Sequence, residues 1–167
     1  MNNIEKTDFN TKDELYDFMN ISLKGLIKEE PDWLANLCNA SALLWQLLND
    51  INWAGFYLYK NDELILGPFQ GKIACTHIKL GRGVCGAAAK TLKTQLIKNV
   101  HEFPGHIACD SASNSEIVVP IIKDSRLIGV LDIDSPLLSR FDEKDKVNLE
   151  KFVSIIVKYI QFPEPFI

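Results

Sequence analysis

The chain has 167 residues and a mass of 18.9 kDa, which fits one ordinary domain with a sizeable core. Its 47% apolar and 24% charged content is that of a soluble globular protein. A net charge of -4 and a pI of about 5.4 leave no cationic excess for nonspecific nucleic-acid binding. No window reaches the roughly 18 apolar residues of a membrane span. The start, MNNIEKTDFNTKDEL, lacks the basic and then apolar halves of a signal peptide. The expected location is therefore the reducing cytoplasm, where the four cysteines read as thiols, metal ligands or redox-cycling residues rather than structural bridges.

Thr11 and Glu14 fit a capping box, and Leu15, Phe18, Met19, Leu23 and Leu26 recur at helical spacing, so a first helix is expected over about 11–29. Pro31 marks the start of a second. On it Leu34, Leu37, Cys38, Ser41, Leu44, Trp45 and Leu48 share one face, and Cys38 reads as a small buried hydrophobe. NWAGFYLYK (52–60) is an aromatic-rich strand. Trp53, Gly55, Tyr57 and Tyr59 fall on one of its faces, and Ala54, Phe56 and Leu58 on the other. The aromatics either pack a core or, in the case of Trp53 and Tyr57, line a ligand pocket. A polar turn at Asn61-Asp62 leads to a short strand at 64–66. Then comes GPFQGKIACTHIKLGRGVCG, which holds five of the nine glycines and matches neither a P-loop nor GxGxxG. Cys85 precedes the helical AAAKTLK, where a helix dipole would favour its thiolate. A short strand is expected at 95–100. The long loop HEFPGHIACDSASNS follows, of a length that is usually functional inside a compact domain.

Strands at 116–122 and 127–134 form a hairpin around Lys123-Asp124-Ser125-Arg126. Asp142 can cap a last helix through Leu149, Phe152, Val153, Ile156 and Ile160. Helices therefore come first (about 11–49), strands and site loops dominate the middle (about 51–136), and a helix closes the chain (about 142–160). This order predicts one α+β domain over 1–167, layered on a mostly antiparallel sheet.

The chemistry concentrates in 105–136. Cys109 lies in a polar, small-residue loop, and Glu116, Asp132 and Asp134 interrupt two apolar strands. Asp132 and Asp134 project from the same strand face, and a pair of acids in LIGVLDID is costly to bury without a partner or a task. Cys75, Cys85 and Cys109 with His77, His101 and His106 do not read as a metal set. There is no CxxC, and the ligand candidates lie on separate segments without the usual knuckle pattern. A redox reading uses more of the parts. One thiolate attacks an oxidised substrate, a second thiol closes a disulfide, and an external dithiol reopens it. Reduction of a sulfoxide needs a proton for the departing oxygen, and a buried or crowded carboxyl can hold one near neutral pH. The same acids suit the amino group of a small zwitterion.

The stretches NWAGFYL, LGPFQGKIACTHI, GRGVCG, FPGHIACDSASNSEIVVPI and LIGVLDIDSP resemble the free methionine-(R)-sulfoxide reductases, a family of GAF-domain enzymes, over about residues 50–160. The resemblance implies a six-stranded antiparallel sheet flanked by helices, with the ligand held between sheet and loops. It implies reduction of the R epimer of free methionine sulfoxide. Cys109 would be the nucleophile that becomes a sulfenic acid, and Cys75 or Cys85 the resolving thiol. Glu116, Asp132 and Asp134 would contact the sulfoxide oxygen and the amino group, and Trp53 and Tyr57 would wall the S-methyl group. No bound cofactor is implied. The electron donor would be thioredoxin, with thioredoxin reductase and NADPH behind it, and the enzyme would be a homodimer. The rival readings are a GAF module that binds a small molecule without turnover and a thiol redox sensor.

Overall fold

A computed structural model describes residues 9–105 and 111–163. Four helices, α1 (Lys12–Ile27), α2 (Trp33–Leu47), α3 (Gly83–Thr91) and α4 (Glu143–Tyr159), accompany six strands: β1 (Trp53–Lys60), β2 (Glu63–Gly71), β3 (His77–Lys79), β4 (Gln95–Ile97), β5 (Ser115–Lys123) and β6 (Arg126–Ser135). The strands form one sheet in the order β3-β2-β1-β6-β5-β4, with every neighbouring pair antiparallel. The α+β architecture and the six-stranded sheet are those expected.

Alternation along the central strands assigns each residue to one of two cores. Ala54 and Phe56 of β1, Ile117, Val119 and Ile121 of β5, and Leu131 and Ile133 of β6 face α1, α2 and α4. Trp53, Tyr57, Val118 and Val130 face the other way, toward α3. The larger core lies under the three long helices. Tyr16, Met19, Leu23, Leu44, Phe152 and Ile156 are fully buried there. The division of β1 into two faces follows its sequence residue by residue.

Local chemistry sets the boundaries. The Thr11 hydroxyl accepts from the Glu14 N–H at 3.2 Å, capping α1, but the Glu14 carboxylate accepts from Asn10 N–H at 3.0 Å rather than from the cap residue expected for a box. A reciprocal capping box forms instead at α4, between Asp142 and Asp145. Both two-residue hairpins, Asn61-Asp62 and Asp124-Ser125, take positive φ at both positions, which matches the twist of the flanking strands.

Three expectations are corrected. The strand expected at 64–66 runs on to Gly71. A bulge opposite Phe56 absorbs an extra β2 residue, so Pro68, which has no N–H to donate, is accommodated without a ladder bond. Three residues, His77–Lys79, add an edge strand within the glycine-rich stretch. The buried residues of α2 are Asn36, Leu37, Ala40, Ser41, Leu43, Leu44 and Leu47. This rotation leaves Leu34 and Trp45 45% and 41% exposed and puts Cys38 at the surface, not in the core. The helix is apolar on more than one side, so periodicity alone does not choose the face.

Candidate functional site

On the α3 side of the sheet the residues Trp53, Tyr57, Cys85, Glu116, Asp132 and Asp134 converge on one pocket, with Ile73, Ala74, Ile78, Arg82, Gly83, Val84 and Ser113 completing its lining. Register explains the convergence. Asp134 lies beside Trp53 on one flank and Glu116 on the other, and Asp132 lies beside Gly55 and Val118. Three acids are thereby brought to one end of a two-stranded junction. Gly55 has no side chain to compete for that space, and a Cβ there would sit 2.3 Å from the Phe69 Cβ.

Stacked rings form one wall. Trp53 lies 5.8 Å from Tyr57 and 5.2 Å from Phe69, centroid to centroid. Trp53 Nε1 donates to the Lys72 carbonyl at 3.2 Å, and the Tyr57 hydroxyl donates to the Cys75 carbonyl at 3.0 Å. The two aromatics are therefore both wall and anchor, because they hold the 72–75 loop over the pocket. Cys75, half-buried on that loop, is disulfide-bonded, whereas Cys38 and Cys85 carry free thiols. Cys109 and His106 lie outside the described residues.

The acids are electrostatically unusual. Burial, reinforced by Asp132 and Asp134, pushes the Glu116 carboxyl well above the usual range. Burial also raises Asp132, to about 6, despite opposing hydrogen bonds. One Asp132 oxygen, Oδ1, is buried with no hydrogen-bond partner. The two carboxyls share one dry site and titrate as a pair, and the pair holds a proton more tightly than ordinary acids do. Burial and the coulombic effects of Asp132, Asp134 and Glu116 likewise raise the Tyr57 hydroxyl, which stays neutral.

Cys85 departs from the sequence reading. It is the third residue of α3, where the dipole favours a thiolate, yet it is 5% exposed in the smaller apolar core. Burial and the charges of Asp132 and Glu116 push its thiol well above the usual value, so the dipole loses. Its Sγ lies 3.9 Å from Glu116 Oε1. The two described histidines are elsewhere. His77 meets Glu63 at 3.0 Å and His101 meets Asn114 at 2.8 Å, so neither joins the pocket.

Sequence reasoning missed Arg82, Ser113 and Phe69. Arg82 is exposed at the rim and caps α3 without a side-chain bond, which GRGVCG gave no way to foresee. Ser113 is 4% exposed and accepts from Asn52 Nδ2 at 2.9 Å, tying the start of β5 to the start of β1. Phe69 backs Trp53, a role visible only once the bulged pairing of β1 with β2 is known.

The GAF domain family model matches residues 40–161. The free methionine-R-sulfoxide reductase of Escherichia coli is 52% identical over 89% of this chain and 90% of its own. The Staphylococcus aureus fRMsr solved in complex with substrate is 51% identical, with a TM-score of 0.85 over 93% of this chain and 100% of that one. The free methionine-R-sulfoxide reductase of Neisseria meningitidis, solved in complex with its substrate, is 43% identical, with a TM-score of 0.89 over 93% of each chain. With likeness of this depth along nearly its whole length, the chain belongs to the GAF-domain family of free methionine-R-sulfoxide reductases.

Proposed function

We propose that this protein reduces free L-methionine (R)-sulfoxide to methionine, with Cys109 as the nucleophile and Cys75 as the resolving thiol. The observation that carries this reading is the placement of Glu116 and Asp132, both buried and both holding protons more tightly than ordinary acids, in a pocket walled by Trp53 and Tyr57. The Cys109 thiolate attacks the sulfoxide sulfur and Glu116 protonates the oxygen. The hydroxyl so formed passes to the Cys109 sulfur as the S–O bond and the transient bond between the two sulfurs break, so methionine leaves reduced by two electrons and Cys109 is left as a sulfenic acid. Cys75 then attacks that sulfur, water departs, and a disulfide closes. The bonded state of Cys75 beside the free, proton-retaining thiol of Cys85 supports Cys75 in this step over Cys85. Asp132 and Asp134 receive the substrate's ammonium group, and the Asp132 oxygen without a partner is suited to accept its N–H. Trp53 and Tyr57 enclose the S-methyl group.

Thioredoxin, recharged by its reductase and NADPH, fits as the dithiol that reopens the disulfide. A homodimer and a cytoplasmic location complete the proposal. Among the described residues no helix is long and apolar enough to cross a membrane, which is compatible with that location. An assay coupled to thioredoxin, its reductase and NADPH checks the activity. NADPH should be consumed with the free R epimer, and not with the S epimer or a peptide containing methionine sulfoxide. Equal turnover of the peptide would contradict recognition of the free amino acid by the pocket acids, and no turnover of any substrate would favour a binding module.

A further inference from the structure

Cys85 has no part in the reaction just described, yet its sulfur sits among the buried acids. Cys85 Sγ, a Glu116 carboxylate oxygen and an Asp132 carboxylate oxygen all lie within 4.8 Å of one another, and all three residues are buried. They come from three different elements, α3, β5 and β6, each fixed by packing or ladder bonds. We propose that this trio is a binding site for a thiophilic divalent cation of the Zn2+ class, which enters the pocket and shuts it to substrate.

One of the three separations is close to what a tetrahedral ion demands, and the other two are no more than 4.8 Å. With metal–sulfur and metal–oxygen bonds of about 2.3 and 2.1 Å, ligand atoms stand about 3.6 Å apart. The Cys85–Glu116 separation of 3.9 Å needs only a small inward shift. The pocket side supplies an open fourth position. Two further observations point to a cation. Asp132 Oδ1 is an orphaned acceptor on a side chain 6% exposed, facing the same pocket. Arg82, the one cation among the described lining residues, stands exposed at the rim. An ammonium group would satisfy the oxygens alone and make no use of the sulfur. Mg2+ and Ca2+ prefer oxygen donors, so the thiol selects the softer ions. The trio does not need Cys75, so the site is present whether or not that residue is oxidised. Exclusion of substrate rests on the reductase reading, because the ion would occupy the oxygens that receive the ammonium. The binding itself does not.

Titration of the whole protein with Co2+ in phosphine reductant tests the proposal. A saturable, one-to-one thiolate-to-cobalt charge-transfer band is expected, displaced by Zn2+. It should vanish in Cys85→Ser and persist in Cys38→Ser, Cys75→Ser and Cys109→Ser. In Asp132→Asn, folded by near-ultraviolet circular dichroism, the affinity should fall on the order of 100-fold. Absence of the band, its survival in Cys85→Ser, or an unchanged affinity in Asp132→Asn overturns the site. A protein that shows the band but reduces no sulfoxide leaves the site standing and sinks the reductase reading. One that reduces sulfoxide with no band does the reverse.

Discussion

On the helix side of the sheet β6 contributes Leu131 and Ile133, and on the α3 side, one residue along each time, Asp132 and Asp134. The same strand thus feeds a dry apolar core and a dry polar pocket. Its neighbour β5 does likewise, with Ile117 and Val119 on one side and Glu116 on the other. The helix side is covered by three helices and holds the fold together. Burial of a side chain such as Phe152 there stabilises the protein by about 1.5–3 kcal/mol. The α3 side has a smaller core and keeps acids in it against their solvation, which costs stability. The difference teaches where stability is made and where it is surrendered to chemistry: a strand period of two lets both share one sheet without mixing.

Changing the pocket should hurt catalysis without unfolding the protein, and the largest such effect falls on the proton donor. Glu116→Gln should lower kcat by about 10²–10⁴-fold in the coupled assay, while the thermal midpoint holds or rises. The wild type should also lose activity at alkaline pH as Glu116 finally ionises, a limb that the variant lacks. A variant that keeps full kcat would move the proton elsewhere.

Changing the helix side should do the opposite. Phe152→Ala removes a fully buried ring and should cost about 3–5 kcal/mol in urea unfolding. The turnover of the folded fraction at low temperature should not change. A fall in kcat without a fall in stability would break the division between the faces.

Asp132→Asn sharpens the comparison through pH. The Asp132 carboxyl titrates near 3.8 ordinarily and at about 6 in the folded protein, so folding favours its protonated form. The stability this contributes is complete below the ordinary value and is lost as pH rises through about 6. Asparagine stays neutral, so the variant should gain on the wild type by about 1–3 kcal/mol between pH 4 and pH 8. It should also bind the sulfoxide more weakly, seen as a raised KM. A stability difference independent of pH would contradict the burial argument.

The smallest effect is expected at Asp142. Its side chain accepts from the Lys144 and Asp145 N–H groups at 2.9 and 3.1 Å and pairs with Lys12 at 2.8 Å. Asp142→Ala should cost about 1 kcal/mol in urea unfolding and leave kcat and KM unchanged.

Much of this division was legible in the chain. Alternation placed Trp53 and Tyr57 opposite Ala54 and Phe56, and the two-residue spacing put Asp132 and Asp134 on one face. These are local properties of a strand. What sequence could not supply was whatever depends on neighbours distant in the chain. Cys85 looked like an activated thiol because its helix position was visible and its acidic, apolar surroundings were not. Cys38 looked buried because α2 offers apolar residues on several sides, and only packing chooses among them. Pro68 and the glycines around it disguised the second half of β2 as a loop, since a bulge is settled by the partner strand.

The most direct test is a single turnover without any reductant. Fully reduced protein is mixed with one equivalent of free L-methionine (R)-sulfoxide, and both the methionine formed and the disulfides in the digested chain are measured. The account predicts one methionine per chain and one new disulfide, between Cys75 and Cys109, with Cys85 still a thiol. A disulfide that includes Cys85, or methionine formed equally from the S epimer, would contradict it.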